Sequence, residues 1–434
     1  MLLQTGPRIG IDGFNIAMTR GTGVATYGRV LSQCLTALGH PVDVIFGMPI
    51  PANASDLMRE VAFFNALGHE SERRRPGLFT YRWWREILQT PFTRPAITIP
   101  ITGKVEARGF RSRLPAFDRL LNVAELFPLA ARHFSLTGRF LRISVPDTPA
   151  IMHWTYPLPI HLVGARNVYT IHDMVPLRLP YTTLGSKNYH FRLIRGCLAH
   201  AARICTVSEA SLHDIIALFP EAEGQVVNTY QSVVPAEDAL AASEDELRRL
   251  IGGVFGLPLQ GYFLFFGALE PKKNIARMLE AYLSSECKIP LLLVSGRGWQ
   301  AEREAQIIAA HDNIRQIDYV PAEQLTRLIR GARAVVFPSL CEGFGLPVVE
   351  AMALGTPVLT SREGSLPEIT GQAALLVDAY NREDIAAGLR RLENDDALCA
   401  QLGAAGLQQA RQFDAKTYQQ RLAAFYADLL SRPA

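Results

Sequence analysis

Between residues 262 and 378 the chain carries six short strand-like runs, YFLFFGAL, PLLLVSG, IRQIDYV, AVVFPS, TPVLTS and AALLVD, all but IRQIDYV largely apolar and most of them ending in small or polar residues. Apolar runs of roughly four to eight residues suit strands covered on both faces, the condition of a parallel sheet with helices on either side. Amphipathic stretches between the runs, such as NIARMLEAYLSS and EQLTRLIRG, supply those helices. The alternation predicts a doubly wound α/β unit and argues against an all-helical bundle or a β-sandwich.

The same grammar opens the chain. RIGIDG reads as a strand, VATYGRVLSQCLTAL as a helix with Val24, Tyr27, Leu31, Leu35 and Leu38 inward, and VDVIFG as the next strand. IMHWT, NVYTIHD and RICTVS then read as parallel strands whose carboxyl ends face a cleft. With 434 residues, two domains are expected. Residues 1–235 are expected to form one Rossmann-like domain and residues 236–412 a second. PAEDALAASEDELRRL crosses between them, and residues 413–434 form a closing helix. Residues 51–149 read as an irregular, aromatic-rich elaboration of the first domain. No short-period repeat is present, which argues against a solenoid.

Composition narrows the function classes. An apolar fraction of 48% with 20% charged residues is that of a well-packed chain, and a net charge of +3 makes no case for nucleic acid. Charge is less even between residues 71 and 114, where ten basic residues face three glutamates and interleave with Phe79, Tyr81, Trp83 and Trp84. That mixture suits a peripheral contact with anionic lipid, and equally a solvated excursion with a few buried rings. Six scattered cysteines without a CxxC pair argue against a disulfide framework or a zinc site and fit a reducing cytosol. No run approaches the ~20 apolar residues of a spanning helix, and the N-terminus has no signal-peptide pattern. A cytoplasmic protein, peripheral to a membrane on its inner face, is expected.

CEGFGLPVVEAMALGTPVLTS, residues 341–361, keeps two glutamates, Glu342 and Glu350, in a nearly uncharged run. Here a strand feeds a loop that opens a helix, with Pro347 in the first turn and Gly355 at the end. A helix N-terminus carries about half a positive charge and suits a diphosphate, while Gly343 and Gly345 let backbone approach a ligand. Glu342 is placed to accept bonds from sugar hydroxyls and Glu350 from a ribose diol. The plainer alternative makes Glu350 a complement to the helix dipole and Glu342 a solvated carboxylate. Either acid buried in a private ion pair would count against the ligand role.

The spacing Glu-x7-Glu within PSLCEGFGLPVVEAMALGTPVLTS closely resembles the donor-site signature of retaining family 4 glycosyltransferases with the GT-B fold. GALEPKKN, DYVPAEQL, YTIHD and TVSEAS are similar to that family's other cleft motifs and occur in the right order. The resemblance covers roughly residues 8–45 and 150–430. It implies that Lys273 neutralises the diphosphate, helped by Lys272, Arg297 and the helix terminus, because Ala268 stands where the family often has Arg. Further donor contacts fall to Gly23 and Thr22, to Gly343, Phe344, Gly345 and Leu346, and to Tyr319 and Val320 beside the base. His172 contacts donor sugar and phosphate, while Asp173 orients His172 or binds acceptor, and Ser208 and Glu209 lie nearby or cap the next helix.

The implied enzyme is a retaining hexosyltransferase with His172, Glu342 and Lys273 as its catalytic residues. It transfers a sugar, mannose from GDP-mannose in the branch most resembled, to a glycan or lipid-linked acceptor for polysaccharide or lipopolysaccharide synthesis. The nucleotide sugar is a co-substrate and no cofactor is expected. No Asp-x-Asp occurs to indicate a metal. A noncatalytic GT-B scaffold that binds a nucleotide sugar or glycan is the alternative from another class. An epimerase acting on a free nucleotide sugar fits the second-domain motif less well.

Overall fold

The computed structural model describes residues 6–17, 23–51, 53–68, 93–110, 114–233, 242–296 and 302–432. In the first lobe β1 (Ile9–Asp12), α1 (Gly23–Ala37), β2 (Val42–Phe46) and α2 (Asp56–Gly68) lead into β3 (Arg94–Pro95), β4 (Ile97–Ile99), β5 (Arg119–Asn122), α3 (Leu126–Thr137) and β6 (Leu141–Ser144). Then come β7 (Ile151–Trp154), β8 (Ile160–Leu162), β9 (Arg166–Ile171), α4 (Val175–Arg178), α5 (Lys187–His200), β10 (Arg203–Thr206), α6 (Glu209–Leu218) and β11 (Val226–Asn228). Eight strands make one sheet in the order β11-β10-β9-β7-β1-β2-β5-β4, parallel except where β4 runs against β5.

Residues 51–149 are therefore less irregular than the sequence suggests. β5 pairs in parallel with β2, with Val44 opposite Leu120, and so extends the main sheet. β3, β6 and β8 form a small parallel sheet of their own. These strands are two to four residues long, too short for an apolar period to show. Of residues 71–114, only 93–110 and 114 lie within the described residues, so the basic aromatic run RRRPGLFTYRWWREIL lies outside them.

The second lobe contains α7 (Glu244–Leu250), β12 (Phe263–Phe266), α8 (Ile275–Ser285), β13 (Leu291–Val294), α9 (Glu302–Ala309), β14 (Ile314–Ile317), α10 (Ala322–Gly331) and β15 (Ala334–Phe337). It continues with α11 (Leu346–Ala353), β16 (Val358–Ser361), α12 (Leu366–Thr370), β17 (Leu375–Val377), α13 (Arg382–Asn394) and α14 (Asp396–Ala410). Its sheet is all parallel in the order β14-β13-β12-β15-β16-β17, one strand for each of the six strand-like runs. β12, β13, β15 and β16 are buried along their whole length, the reason their sequences show no alternation.

The closing helix α15 (Ala415–Ser431) returns to the first lobe. Its Tyr426 hydroxyl lies 2.6 Å from Nδ1 of His153 on β7, and Asp428 meets Arg203 of β10 at 3.4 Å. His153 also meets the Thr170 hydroxyl at 2.7 Å through Nε2, and Thr170 meets the Tyr27 hydroxyl at 3.0 Å. Burial, with His172 nearby, drives the His153 pKa down to about 3, so the ring is neutral and uses one nitrogen to donate and one to accept. Among the described residues no helix is long and apolar enough to cross a membrane, and all six cysteines are free and buried.

Removing the hydroxyl that anchors α15 leaves a buried imidazole nitrogen without a partner. Tyr426→Phe is expected to lower the unfolding free energy by about 1–3 kcal/mol; equal urea midpoints for the variant and the parent would contradict this.

Candidate active site

The carboxyl ends of β9, β12 and β15 meet in the cleft. β9 delivers His172 and Asp173. β12 runs through Ala268 into a tight turn, Pro271–Lys273, that delivers Lys272 and Lys273. β15 delivers the 338–345 loop. Asn274 locks the last two together: its amide donates to the Pro338 and Ala379 carbonyls at 3.0 and 2.7 Å, and Leu340 N donates to the Lys272 carbonyl at 2.8 Å. Asn274 follows the lysine pair directly in EPKKN, but nothing in that spacing marks its bracing role, which is set by distant carbonyls.

Glu342 is not solvated. It is 8% exposed, with Oε1 2.6 Å from Lys273 Nζ and Oε2 3.9 Å from Lys272 Nζ. The alternative of a solvated carboxylate therefore fails, for a physical reason: a carboxylate sunk this deep needs a counter-charge. The pair is not private, however. Lys272 also lies 3.6 Å from Asp173 of the opposite lobe, and Lys273 rests 4.5 Å from the Phe337 ring centroid.

Burial alone would raise both carboxyl groups, but the lysines outweigh it and hold Glu342 and Asp173 below their ordinary values. Against burial, Asp173, Glu342 and Glu270 hold the Lys272 ammonium well above its own. Burial pulls Lys273 down despite Glu342.

Glu350 behaves oppositely. It lies one turn into α11, half-buried and with no ion pair among the described residues, and burial raises its pKa to about 7. The dipole-complement alternative does not account for a carboxylate placed where charge is costly. Gly345 caps the N-terminus of α11 in a left-handed conformation (φ 91°), with no side-chain cap. A Cβ there would meet Leu366 Cδ2 at 2.8 Å.

His172 donates from Nε2 to the Thr155 carbonyl at 2.8 Å. Burial lowers its pKa, so the ring is neutral and Nδ1 carries a lone pair. Tyr27 fixes its plane edge-on, with centroids 4.9 Å apart at 88°. The lobes touch here: a Cβ on Gly343 would lie 2.2 Å from the His172 carbonyl oxygen, and one on Gly23 would lie 3.0 Å from Leu346 Cδ1. Ser211 donates to the carbonyls of His172 (2.9 Å) and Gly343 (3.3 Å). Glu368 of α12 accepts the Glu209 and Ala210 amides at 2.8 and 3.0 Å, so an acid of one lobe caps a helix of the other. Nothing in the spacing of Ser211 or Glu368 marks them, because both act through backbone from distant elements.

Other expected residues fall elsewhere. Ser208 is fully buried and caps α6 by accepting from Ser211 N at 3.0 Å, so it is a cap and not an acceptor contact. Phe344 is 3% exposed and packs edge-on against Phe413. Beyond β14, Tyr319 is 78% exposed and Val320 is buried in the second-lobe core. Thr22 and Arg297 lie outside the described residues. A wider concavity of about 680 Å³, around Glu246, Val254 and Arg327, lies away from all these strand ends.

Residues 259–409 match the family described as glycosyl transferases group 1. The chain is 35% identical to the O-antigen chain mannosyltransferase B of Escherichia coli over 256 residues, 57% of this chain and 66% of that protein. It is 28% identical to the serotype-specific mannosyltransferase WbdA of Escherichia coli, over 60% of this chain but only 33% of that protein. The MMP α-(1→4)-mannosyltransferase of Mycolicibacterium hassiacum matches at 26% identity across 89% of this chain and 90% of its own. The chain thus spans between a third and two-thirds of the two Escherichia coli relatives. Among solved structures, sucrose-phosphate synthase from Thermosynechococcus elongatus superposes with a TM-score of 0.64 at 18% identity, covering 98% of this chain and all of that one. Anabaena HepE in complex with UDP and glucose gives 0.64 at 14%, with the same coverage. These likenesses show a GT-B fold.

Two measurements check the geometry. A carboxyl whose pKa rises from 4.5 to about 7 on folding lends stability in its protonated state that is lost as pH climbs from 4.5 through 7. Glu350→Gln is therefore expected to stabilise the protein by on the order of 2 kcal/mol at pH 8 and by nothing at pH 4; a pH-independent effect would contradict it. Gly343→Ala is expected to hold the lobes apart, seen as a larger radius of gyration in X-ray scattering with unchanged circular dichroism. An unchanged radius would show that the approach is not needed for closure.

Proposed function

We propose that this chain, which belongs to the group 1 glycosyltransferases, transfers mannose from GDP-mannose to a glycan or lipid-linked acceptor in polysaccharide or lipopolysaccharide synthesis, with retention of configuration and without a metal. One observation carries the proposal. Two lysines, a buried acid and a neutral histidine converge from both sheets on a single cleft, and a second acid, with no ion pair among the described residues, stands one turn into the helix that the cleft loop opens. The named mannosyltransferase relatives support the choice of sugar. At the cytoplasmic face of a membrane the basic 71–114 segment suits a lipid-linked acceptor.

The bond from the anomeric carbon to the β-phosphate oxygen breaks, and its electron pair moves onto the diphosphate. Stabilising that charge is the largest demand on the site. In this reading Lys272, Lys273 and the N-terminus of α11, which has no side-chain cap, supply it; their nearness to Glu342 and Asp173 supports the assignment of the lysines. As the diphosphate arrives, Lys273 exchanges Glu342 for phosphate, which frees the carboxylate to accept sugar hydroxyls. Glu350 holds the ribose diol. The acceptor oxygen bonds to the anomeric carbon on the face being vacated, and its proton passes to the departing phosphate oxygen. His172, pinned through Nε2, keeps its ring against the donor.

Purified protein incubated with a panel of nucleotide sugars is expected to hydrolyse GDP-mannose fastest and to release the retained anomer first. Preference for another donor would overturn the sugar, and no turnover with any donor would overturn the enzyme. His172→Ala is expected to lower kcat on the order of 100-fold with GDP affinity nearly unchanged; parallel losses in both would make the residue structural.

A further inference from the structure

Beside the lysine pair, a cavity of about 220 Å³ opens between the lobes, with Asp173, Val175, Thr183 and Leu184 on one wall and Glu270 and Lys272 on the other. Two large rings from opposite lobes stand in solvent near its mouth. Tyr181, in the turn next to Thr182 and Thr183, is 66% exposed; Tyr380, just past β17, is 51% exposed. Their hydroxyls approach one another, and the Arg277 guanidinium lies 5.6 Å from the centre of the Tyr380 ring. Tyr380 is tied to the donor side of the cleft through the preceding carbonyl, which receives the Asn274 amide at 2.7 Å. The buried Nε2 of His190 has no hydrogen-bond partner among the described residues and lies within electrostatic reach of Asp173.

Such a lining has a specific chemistry. Carboxylates accept hydroxyl pairs, and an exposed aromatic face presents an apolar plane with a polar handle. A pyranose chain offers both complements: an equatorial rim of hydroxyls and flat patches of C–H. An amphipathic peptide would want a continuous apolar floor, whereas this cavity sets Asp173, Glu270 and Lys272 among Val175, Pro176 and Leu184.

We propose that the cavity and the Tyr181–Tyr380 pair form an acceptor subsite that binds the penultimate sugars of a growing glycan. Asp173 and Glu270 take hydroxyls, and the tyrosines take the apolar faces of the rings beyond. The subsite rests on the glycosyltransferase reading and adds that the protein reads more of its acceptor than the terminal residue. Because the tyrosines belong to different lobes, a bound glycan also bridges the cleft.

The test uses binding, which needs no turnover, so that failure of the subsite and failure of the enzyme reading are separable. Mannose and a mannose trisaccharide are titrated into the full chain with GDP present, followed by saturation-transfer NMR. The trisaccharide is expected to bind at least tenfold more tightly than mannose. In Tyr181→Ala/Tyr380→Ala that advantage is expected to fall roughly tenfold, with GDP affinity by calorimetry unaffected. Absence of trisaccharide binding to the parent chain overturns the subsite, as does an unchanged advantage in the double variant. Equal weakening of mannose and trisaccharide would show that the tyrosines are a strut between the lobes and also overturns it.

Discussion

A carboxylate sunk between two ammonium groups organises the cleft. Glu342 arrives on the loop after β15, while Lys272 and Lys273 arrive on the turn after β12; each would be costly to bury alone. Together they fix the height at which both loops leave their strands, and Asn274 ties the same two loops through backbone carbonyls. The third participant, Asp173, belongs to the other lobe, so the arrangement of the two sheets is coupled to the charge state of a few side chains. In the proposed reaction an arriving dianion competes with these carboxylates for the same ammonium groups.

Closure depends on how near two backbones come. Gly343 lies so close to the His172 carbonyl that no side chain fits, and Ser211 donates to both residues' carbonyls at that point. Glu368 caps α6 from the second lobe, and α15 locks into the first through Tyr426 and His153. The lobes are thus held by backbone and capping contacts that ring the site, while the ionisable groups within are left to exchange partners. Glu350 is the exception, a half-buried carboxylate with no ion pair among the described residues.

Much of this was legible in the sequence where burial is complete. Strands covered on both faces write themselves as largely apolar runs, so β12, β13, β15 and β16 of the second sheet, with β1, β2, β7, β9 and β10 of the first, could be read directly, while the partly buried β14 and β17 follow from their place in the alternation with helices. β3 to β6 could not, because strands of two to four residues leave no period, and β5 owes its place to pairing with the distant β2. The site follows the same division. His172, Lys273, Glu342 and Glu350 stand in motifs with recognisable spacing, whereas Ser211, Glu368 and Tyr27 act through contacts set only by tertiary packing. Spacing also says nothing about partners, so the bond from Lys273 to Glu342 could not be read from it.

The exchange of partners at Lys273 is the central claim, and calorimetry of GDP binding to Glu342→Gln tests it most directly. Removing the competing carboxylate frees Lys273, so the variant is expected to bind GDP at least as tightly as the parent while losing turnover of GDP-mannose. A variant that binds GDP markedly more weakly would mean that the Glu342–Lys273 contact is a fixed structural bond, and the proposed mechanism would fail with it.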